Sequence, residues 1–167
     1  MLQILIFTTK FFIMKTILIF TVTMILSFNV HAQIYTEKYI KDAKVEAIKW
    51  LNNLNNKNFE LCWEMHSNEA KIANQSLENW QVYVNEMMDE FGEISSRKVS
   101  NAYFKSSIEG KENGFYVFIE YNCQYEHTDQ HMEAVVLKQN DQFKWKIDSW
   151  EYQFISKKEE ENSNESK

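Results

Sequence analysis

The sequence is poor in the residues that interrupt regular backbone. Its 167 residues include no proline and only three glycines. Few turns can therefore depend on a fixed or a positive φ, and this scarcity predicts long, regular secondary-structure elements. The sequence also contains no motif that specifies a reaction, so we expect neither an enzyme nor a bound cofactor or metal.

Positive charge is the next shortage. The 18 Lys and Arg residues are outnumbered by 24 Asp and Glu residues, which gives a net charge of −6. Loss of residues 1–32 would delete Lys10 and Lys15 and no acidic residue, and would leave 16 basic residues against 24 acidic ones. Nucleic acids and anionic membranes are bound through a basic face, so this balance disfavours both as partners.

The N-terminus has the pattern of a signal peptide. Lys15 precedes an almost unbroken apolar run over residues 16–28, which suits a signal sequence and falls short of the about 20 residues that span a bilayer. The run ends in Val30-His31-Ala32, where small or compact side chains precede a break. This pattern predicts a signal peptide over residues 1–32, cleavage before Gln33 and export to the periplasm or the extracellular space.

Two alternatives concern the same segment. Translation could begin at Met14, which would make residues 1–13 an upstream extension. An uncleaved membrane anchor would need those apolar residues to reach bilayer length, but Lys10 and Lys15 would then lie within the span, where a charge is costly. No cysteine directly follows the cleavage point, which disfavours a lipid anchor. We therefore expect no stable membrane insertion after cleavage.

The C-terminal residues 157–167 contain no apolar side chain and predict a disordered, acidic, solvated tail. Residues 33–156 remain between the two ends, and this length predicts a single domain with one core. Neither an internal repeat nor a second domain is evident.

The first half of this domain has helical periodicity. Residues 35–54 place apolar side chains three and four positions apart, which predicts one buried stripe of a helix. A shorter helix is predicted over Phe59–Met65. A third is predicted to begin at Ser76, a good N-cap, and to end at Phe91, with Gly92 supplying a left-handed cap.

After Gly92 the apolar period changes from 3.6 to 2, which predicts four strands and an antiparallel meander. A bulge near Asp148-Ser149 is predicted, because Trp145 and Ile147 have the opposite parity to Trp150 and Tyr152. Three helices followed by a curved sheet predict an α+β fold in which the helices cover the concave face of the sheet. The predicted strands cover residues 96–107, 115–127, 132–139 and 143–154.

The aromatic motifs resemble a known family. They are Ala47-Ile-Lys-Trp50-Leu51, Asn58-Phe-Glu-Leu-Cys-Trp63, Trp80, Phe91-Gly-Glu-Ile-Ser-Ser96-Arg97, Tyr116-Val-Phe-Ile-Glu-Tyr121 and Trp145-Lys-Ile147. This pattern is similar to the bacterial domain-of-unknown-function family 4019, over roughly Ala43 to Phe154. The resemblance implies an exported protein without an established activity. It also implies a cone architecture like that of the nuclear transport factor 2-like and cystatin-like group.

Enzymes with cone folds hold an acid–base pair in the cavity, and the candidates here are Glu120, Tyr121, His66 and Tyr103. A simpler interpretation is that Glu120 marks the point where its strand face reaches water, and that His66 interacts with a helix C-terminus. Arg97 could hold an anionic ligand or pair with a carboxylate such as Glu90.

Two other residue pairs have alternative interpretations. His127 and His131 have metal-ligand spacing, but they fall in a predicted hairpin loop, which favours a solvated loop over a metal site. Cys62 and Cys123 could form a disulfide closing a loop of about 60 residues, or could stay as buried thiols. Both alternatives for the cysteines remain open.

Three functions follow from these features. The leading hypothesis is a non-enzymatic domain that binds a small molecule or a protein partner. Its candidate ligand residues are Trp63, Trp80, Arg97, Tyr103, Glu120 and Tyr121. The second is a homodimer formed through the outer sheet face, which requires Phe104, Phe118 and Tyr125 to be exposed together. The third is a lyase or isomerase that uses Glu120 as a buried carboxylate.

Overall fold

Helices precede an antiparallel sheet in residues 35–157, the part of the chain that the structure, a computed structural model, describes. This order confirms the predicted α+β class. The helices are α1 (35–55), α2 (Phe59–Met65), α3 (Asn68–Asn74) and α4 (Leu77–Phe91). The strands are β1 (Ile94–Lys105), β2 (Tyr116–Tyr125), β3 (Thr128–Gln139) and β4 (Trp145–Ser156).

Several predictions concern residues outside this range. The signal peptide, the cleavage before Gln33 and the tail beyond Lys157 all lie outside the described residues. Within residues 35–157, no helix is both long enough and apolar enough to cross a membrane.

The three predicted helices are present with their expected buried faces. In α1 the stripe formed by Ala43, Ala47, Trp50 and Leu54 is almost completely buried. At the start of α4, Ser76 caps the helix as predicted, because its Oγ accepts a hydrogen bond from the backbone N–H of Asn79 at 3.2 Å. Both features, the apolar spacing and the N-cap, depend on residues no more than about one helical turn apart, so the sequence is sufficient to predict them.

Gly92 ends α4 with a positive φ, as predicted, but its ψ of −160° differs from that of a left-handed helical cap. This combination of angles is accessible essentially only to glycine. A Cβ at this position would lie 2.8 Å from both Glu126 Cβ and His127 Cδ2. Gly92 therefore allows the β2–β3 turn to approach the end of the helix.

The short helix α3 was not predicted. Ser67 caps it by accepting a hydrogen bond from the backbone N–H of Ala70 at 3.0 Å, and it ends at Gln75, which has a φ of 67°. Ala70 is its buried residue, so the helix has almost no apolar stripe from which a period could be read. Ser67 N–H also donates to the carbonyl of Ile147 at 2.7 Å, which joins the start of α3 to the edge of β4.

The four strands form one antiparallel sheet in the order β1-β2-β3-β4. The predicted bulge is confirmed, because Val136 pairs with Ser149 and Leu137 pairs with Ile147, which leaves Asp148 as the extra residue. The predicted solvated loop over residues 127–131 is wrong. Strand β3 begins at Thr128, and His131 is only 1% exposed because its ring packs against Phe91 and Phe154.

The space between the helices and the sheet is filled by side chains. Trp50 of α1 packs against Trp80 of α4 and Trp150 of β4, with ring centroids 6.4 and 6.0 Å apart. Val117, Ile119, Val135 and Leu137 cover the helix-facing side of the two central strands. The centre of the domain is therefore a packed core, and clefts occur at the two ends of the sheet.

Candidate functional site

A buried carboxylate lies on the helix-facing side of the sheet. Glu133 of β3 follows the parity of Val135 and Leu137, so its side chain points into the domain, where it is 0% exposed. Arg97 of β1 reaches across β2 to it, with Nε 3.0 Å from Oε2 and Nη2 3.3 Å from Oε1. This two-pronged contact is the geometry in which a guanidinium binds a carboxylate best.

Two aromatic side chains complete the shell around Glu133. The Tyr125 hydroxyl donates to Oε1 at 2.5 Å, and the Trp150 indole N–H donates to Oε2 at 3.4 Å. Each carboxylate oxygen therefore accepts two hydrogen bonds, which uses the acceptor capacity of the group. We call Glu133, Arg97, Tyr125 and Trp150 the Glu133 network. The Glu133 carboxylate is therefore held in one position by four hydrogen bonds.

The protonation states in the network follow from burial and from the charge on Glu133. Burial, followed by the nearby Glu133 charge, raises the pKa of Tyr125 above its ordinary value, so the phenol keeps its proton and remains a donor. Burial alone would lower the pKa of Arg97, but attraction to Glu133 raises it, and the guanidinium stays charged.

Two polar atoms beside the network have no hydrogen-bond partner within residues 35–157. They are Nε2 of His131 and the hydroxyl of Tyr121. Nδ1 of His131 forms a hydrogen bond of 2.9 Å with Thr128 Oγ1. Its Nε2 lies 3.6 Å from Glu133 Oε1. Burial lowers the pKa of His131 and raises that of Tyr121 to about 12, so both groups are neutral near pH 7.

A cleft of about 700 Å³ opens beside the Glu133 network. It lies where α1 and α4 end and β1 begins, next to the β2–β3 turn. Tyr125 and Trp150 belong both to its lining and to the network. We call it the Trp150 cleft. Its other apolar lining residues include Leu54, Met88, Phe91 and Ile94, and its charged ones include Lys57, Asp89, Glu93 and Glu126.

The structure distributes the predicted ligand residues over three places. Trp63 and Trp80 lie around His66, with ring centroids 5.5 and 4.7 Å from its imidazole. Arg97 and Tyr121 lie at or beside the Glu133 network. Tyr103 and Glu120 lie on the other face of the sheet, where Tyr103 stacks on Phe118 at 4.9 Å.

The position of Glu120 removes the basis of the lyase or isomerase hypothesis. Glu120 alternates with Ile119 and Tyr121, both of which are buried against the helices, so it projects from the outer face. It is partly exposed there and is not a carboxylate within a cavity. The parity of the strand, and not burial in a hollow, explains why an acidic residue occurs in this apolar run.

The three aromatics proposed for an outer dimer surface do not share a face. Phe104 and Tyr125 pack against the helix-facing core, whereas Phe118 lies on the outer face. Phe118 and Tyr125 have opposite parity within β2, so they lie on opposite faces, and Phe104 pairs with Val117, which faces the helices. The requirement for a joint exposed patch is therefore not met.

Both cysteines are buried free thiols in the structure, which corresponds to the second of the two alternatives left open by the sequence. Burial raises the pKa of Cys62 to about 12, and burial together with the Glu133 charge does the same for Cys123. Thiols in this state are protonated and poor nucleophiles. In residues 35–157, His, Cys, Asp and Glu side chains form no cluster that could hold a metal ion.

Sequence reasoning missed Glu133, Tyr125 and His131 as members of one site. A signal was available for Glu133, since it has the same parity as the apolar residues Val135 and Leu137 that follow it in β3. Its partner could not be found in the same way. The contact with Arg97 depends on the register of two strand pairs, which places Arg97 beside Cys123 and Cys123 beside His131.

The family of the domain follows from its similarity to known proteins. No curated protein matches the chain. A family model described as a protein of unknown function, DUF4019, matches residues 46–150. The match runs from α1 to Trp150 and therefore includes every residue of the Glu133 network. It extends over more than half of the chain, and we conclude that this chain belongs to the DUF4019 family.

Proposed function

We propose that this domain binds a small molecule with an apolar ring or chain in the Trp150 cleft. The observation that carries the proposal is that Tyr125 and Trp150 belong to both the cleft and the Glu133 network. Both line the cleft, and both are fixed by hydrogen bonds to Glu133. Aromatic side chains that are held in place lose little conformational freedom when a ligand packs on them.

The charges around the cleft favour a neutral or cationic ligand. Asp89, Glu93 and Glu126 contribute three carboxylates to the lining, against the single ammonium group of Lys57. The guanidinium of Arg97 is already engaged by Glu133 and by Asn55 Oδ1 at 3.4 Å. A cation would also be attracted to the faces of Tyr125 and Trp150.

A fragment screen observed by NMR tests this function. The chain has five tryptophans, so five indole N–H signals can be followed, and Trp150→Phe assigns the relevant one. We expect binding fragments to shift the Trp150 signal, and we expect Trp150→Ala to weaken their binding about tenfold or more. Val82→Ala, which truncates an exposed side chain of α4, serves as the control. Fragments that bind equally well to Trp150→Ala would overturn the assignment.

We also propose that the domain acts outside the cytoplasm. The support is the signal-peptide pattern in residues 1–32. Intact mass of the protein isolated from its host tests this directly. An N-terminus at Gln33 is the expected result, whereas a chain that keeps residues 14–32 would show that the segment is not removed.

A further inference from the structure

A second cleft, of about 650 Å³, lies at the opposite end of the sheet. Three segments form it: residues 66–69 at the start of α3, residues 112–115 before β2, and the β3–β4 hairpin. We call it the Phe143 cleft. Its lining shares no residue with that of the Trp150 cleft.

Charged groups in the Phe143 cleft are held by one another. Lys138 Nζ lies 2.7 Å from Glu69 Oε1 and also donates to Glu112 Oε2, and its side chain is only 11% exposed. Behind the lining, the Ser67 hydroxyl donates a hydrogen bond to Asp148 Oδ1 at 3.2 Å, and Lys111 donates to Asp148 Oδ2. The contacts of Lys138 hold one hydrogen-bond donor, its ammonium group, and two acceptors, the carboxylates of Glu69 and Glu112, at the surface of the cleft.

The lining as a whole is almost balanced in charge. It contains the carboxylates of Glu69, Glu112 and Asp141 and the ammonium groups of Lys138 and Lys146. A charged ligand would have to compete with the ion pairs of Lys138, so a neutral ligand fits better. Amide side chains, which both donate and accept, supply much of the remaining polar lining: Asn68, Asn113, Gln139 and Asn140.

His66 adds a polar group without a partner. It lines the cleft and is 5% exposed, and its buried Nδ1 atom has no hydrogen-bond partner among residues 35–157. Burial, with a smaller contribution from Lys71, lowers its pKa to about 4, so the ring is neutral near pH 7. A neutral imidazole offers one donor and one acceptor.

Phe143 gives the cleft an apolar surface at a cost to the fold. It is 81% exposed and has a φ of 59°, a conformation that a bulky residue rarely adopts. The turn is held by Asn140, whose Oδ1 accepts hydrogen bonds from the backbone N–H groups of Gln142 and Lys144. Phe115, which is 40% exposed, provides a second ring in the lining.

We propose that the Phe143 cleft is a carbohydrate-binding site. Sugar hydroxyls both donate and accept hydrogen bonds, which matches a lining of amides and paired charges. The C–H faces of a pyranose ring are apolar and can pack on Phe143 and Phe115. The proposal does not depend on the function of the Trp150 cleft, because the two sites share no lining residue.

Titration of the ¹⁵N-labelled protein with two neutral trisaccharides, maltotriose and triacetylchitotriose, tests the site. We expect at least one to bind with a Kd of about 1 mM or lower and to shift backbone signals of residues 112–115 and 140–144. Phe143→Ala and Asn113→Ala should each weaken that binding about fivefold or more. Ile72→Ala and Asn101→Ala remove an exposed apolar side chain and an exposed amide outside the cleft, and should leave it unchanged.

Three outcomes would overturn the proposal. The first is the absence of shifts with both trisaccharides at about 20 mM, far above the expected Kd. The second is a set of shifts confined to the Trp150 cleft, and the third is equal binding by wild type and both cleft variants. Because Phe143 and Asn113 are exposed, neither variant should disturb the core, and a preserved amide spectrum verifies this.

Discussion

Glu133 and Lys138 are both buried charges on β3, but they are neutralised in different ways. Glu133 faces the helices and is 0% exposed, and its cation Arg97 is only 10% exposed. Lys138 is on the outer face at 11% exposure, and its anions Glu69 and Glu112 are 49% and 69% exposed. Removing the cation therefore leaves a buried carboxylate at the first site and hydrated carboxylates at the second. The comparison indicates that the group left behind decides the cost of breaking an ion pair.

The largest expected effect is that of Arg97→Met. It would leave the Glu133 carboxylate buried without its cation, and we expect the free energy of unfolding to fall by about 3–5 kcal/mol. Urea denaturation measures this. Adding Glu133→Met to the variant should restore part of the loss, because neither charge then remains. A double variant as unstable as the sum of the two single ones would contradict this explanation.

The next effect is the pH dependence of stability that His66 contributes. His66 has a pKa of about 4 in the fold against 6.5 when exposed, so the unfolded chain binds more protons between these values. Stability contributed by neutral His66 is complete above pH 6.5 and is lost as the pH falls towards 4, by at most about 3 kcal/mol. Between pH 6.5 and 4, the free energy of unfolding should therefore fall more steeply with decreasing pH in the wild type than in His66→Phe. Chemical denaturation of both proteins at several pH values measures this difference.

Glu69 provides an internal check on that result. Hydrogen bonding to Lys138 lowers its pKa from 4.5 to about 2, so its contribution is complete above pH 4.5 and is lost as the pH falls from 4.5 through 2. The two windows therefore differ. If His66→Phe changes the pH dependence only below pH 4, the assignment of the upper window to His66 is wrong.

Gly92→Ala should have an intermediate effect, of about 2 kcal/mol, because the new Cβ would contact Glu126 and His127 beside the Trp150 cleft. Gly110→Ala is the control for the cost of a positive φ alone. Gly110 also has a positive φ, of 78°, but nothing lies within 4 Å of its Cβ position, so only the backbone cost of about 1 kcal/mol should appear. Equal losses in thermal unfolding would show that crowding at Gly92 contributes nothing.

The smallest effect is expected for Lys138→Met, at about 1 kcal/mol or less. Glu69 and Glu112 can rehydrate once the ammonium group is removed, and the methionine side chain can occupy the same partly buried space. Chemical denaturation beside Arg97→Met gives the direct comparison. A loss from Lys138→Met as large as that from Arg97→Met would remove the distinction between the two sites.

Local sequence signals predicted most of the fold. The change of apolar period at Gly92, the cap at Ser76 and the parity change at Asp148 each depend on neighbouring residues, and each is present in the structure. Helix α3 lacked such a signal because Ala70 is its buried residue. His131 was assigned to a loop because a run of polar residues is typical of loops, whereas here Thr128 and His131 hydrogen bond to each other.

The candidate site was much less predictable than the fold. Arg97 was recognised as a candidate for binding an anion, but the anion is Glu133, which belongs to the chain itself. Finding that partner requires the register of β1 with β2 and of β2 with β3, and a shift of one residue would place Glu133 on the outer face. Register is determined by the packing of the whole sheet and cannot be read from any single strand.

Native mass spectrometry of the protein isolated from its host tests the central claim, that the Trp150 cleft holds a ligand, most directly. Wild type and Trp150→Ala would be purified and measured side by side under non-denaturing conditions. We expect an additional bound mass on the wild type and its loss from Trp150→Ala, with both chains folded. A bare wild-type protein, or an adduct that persists in Trp150→Ala, would contradict it.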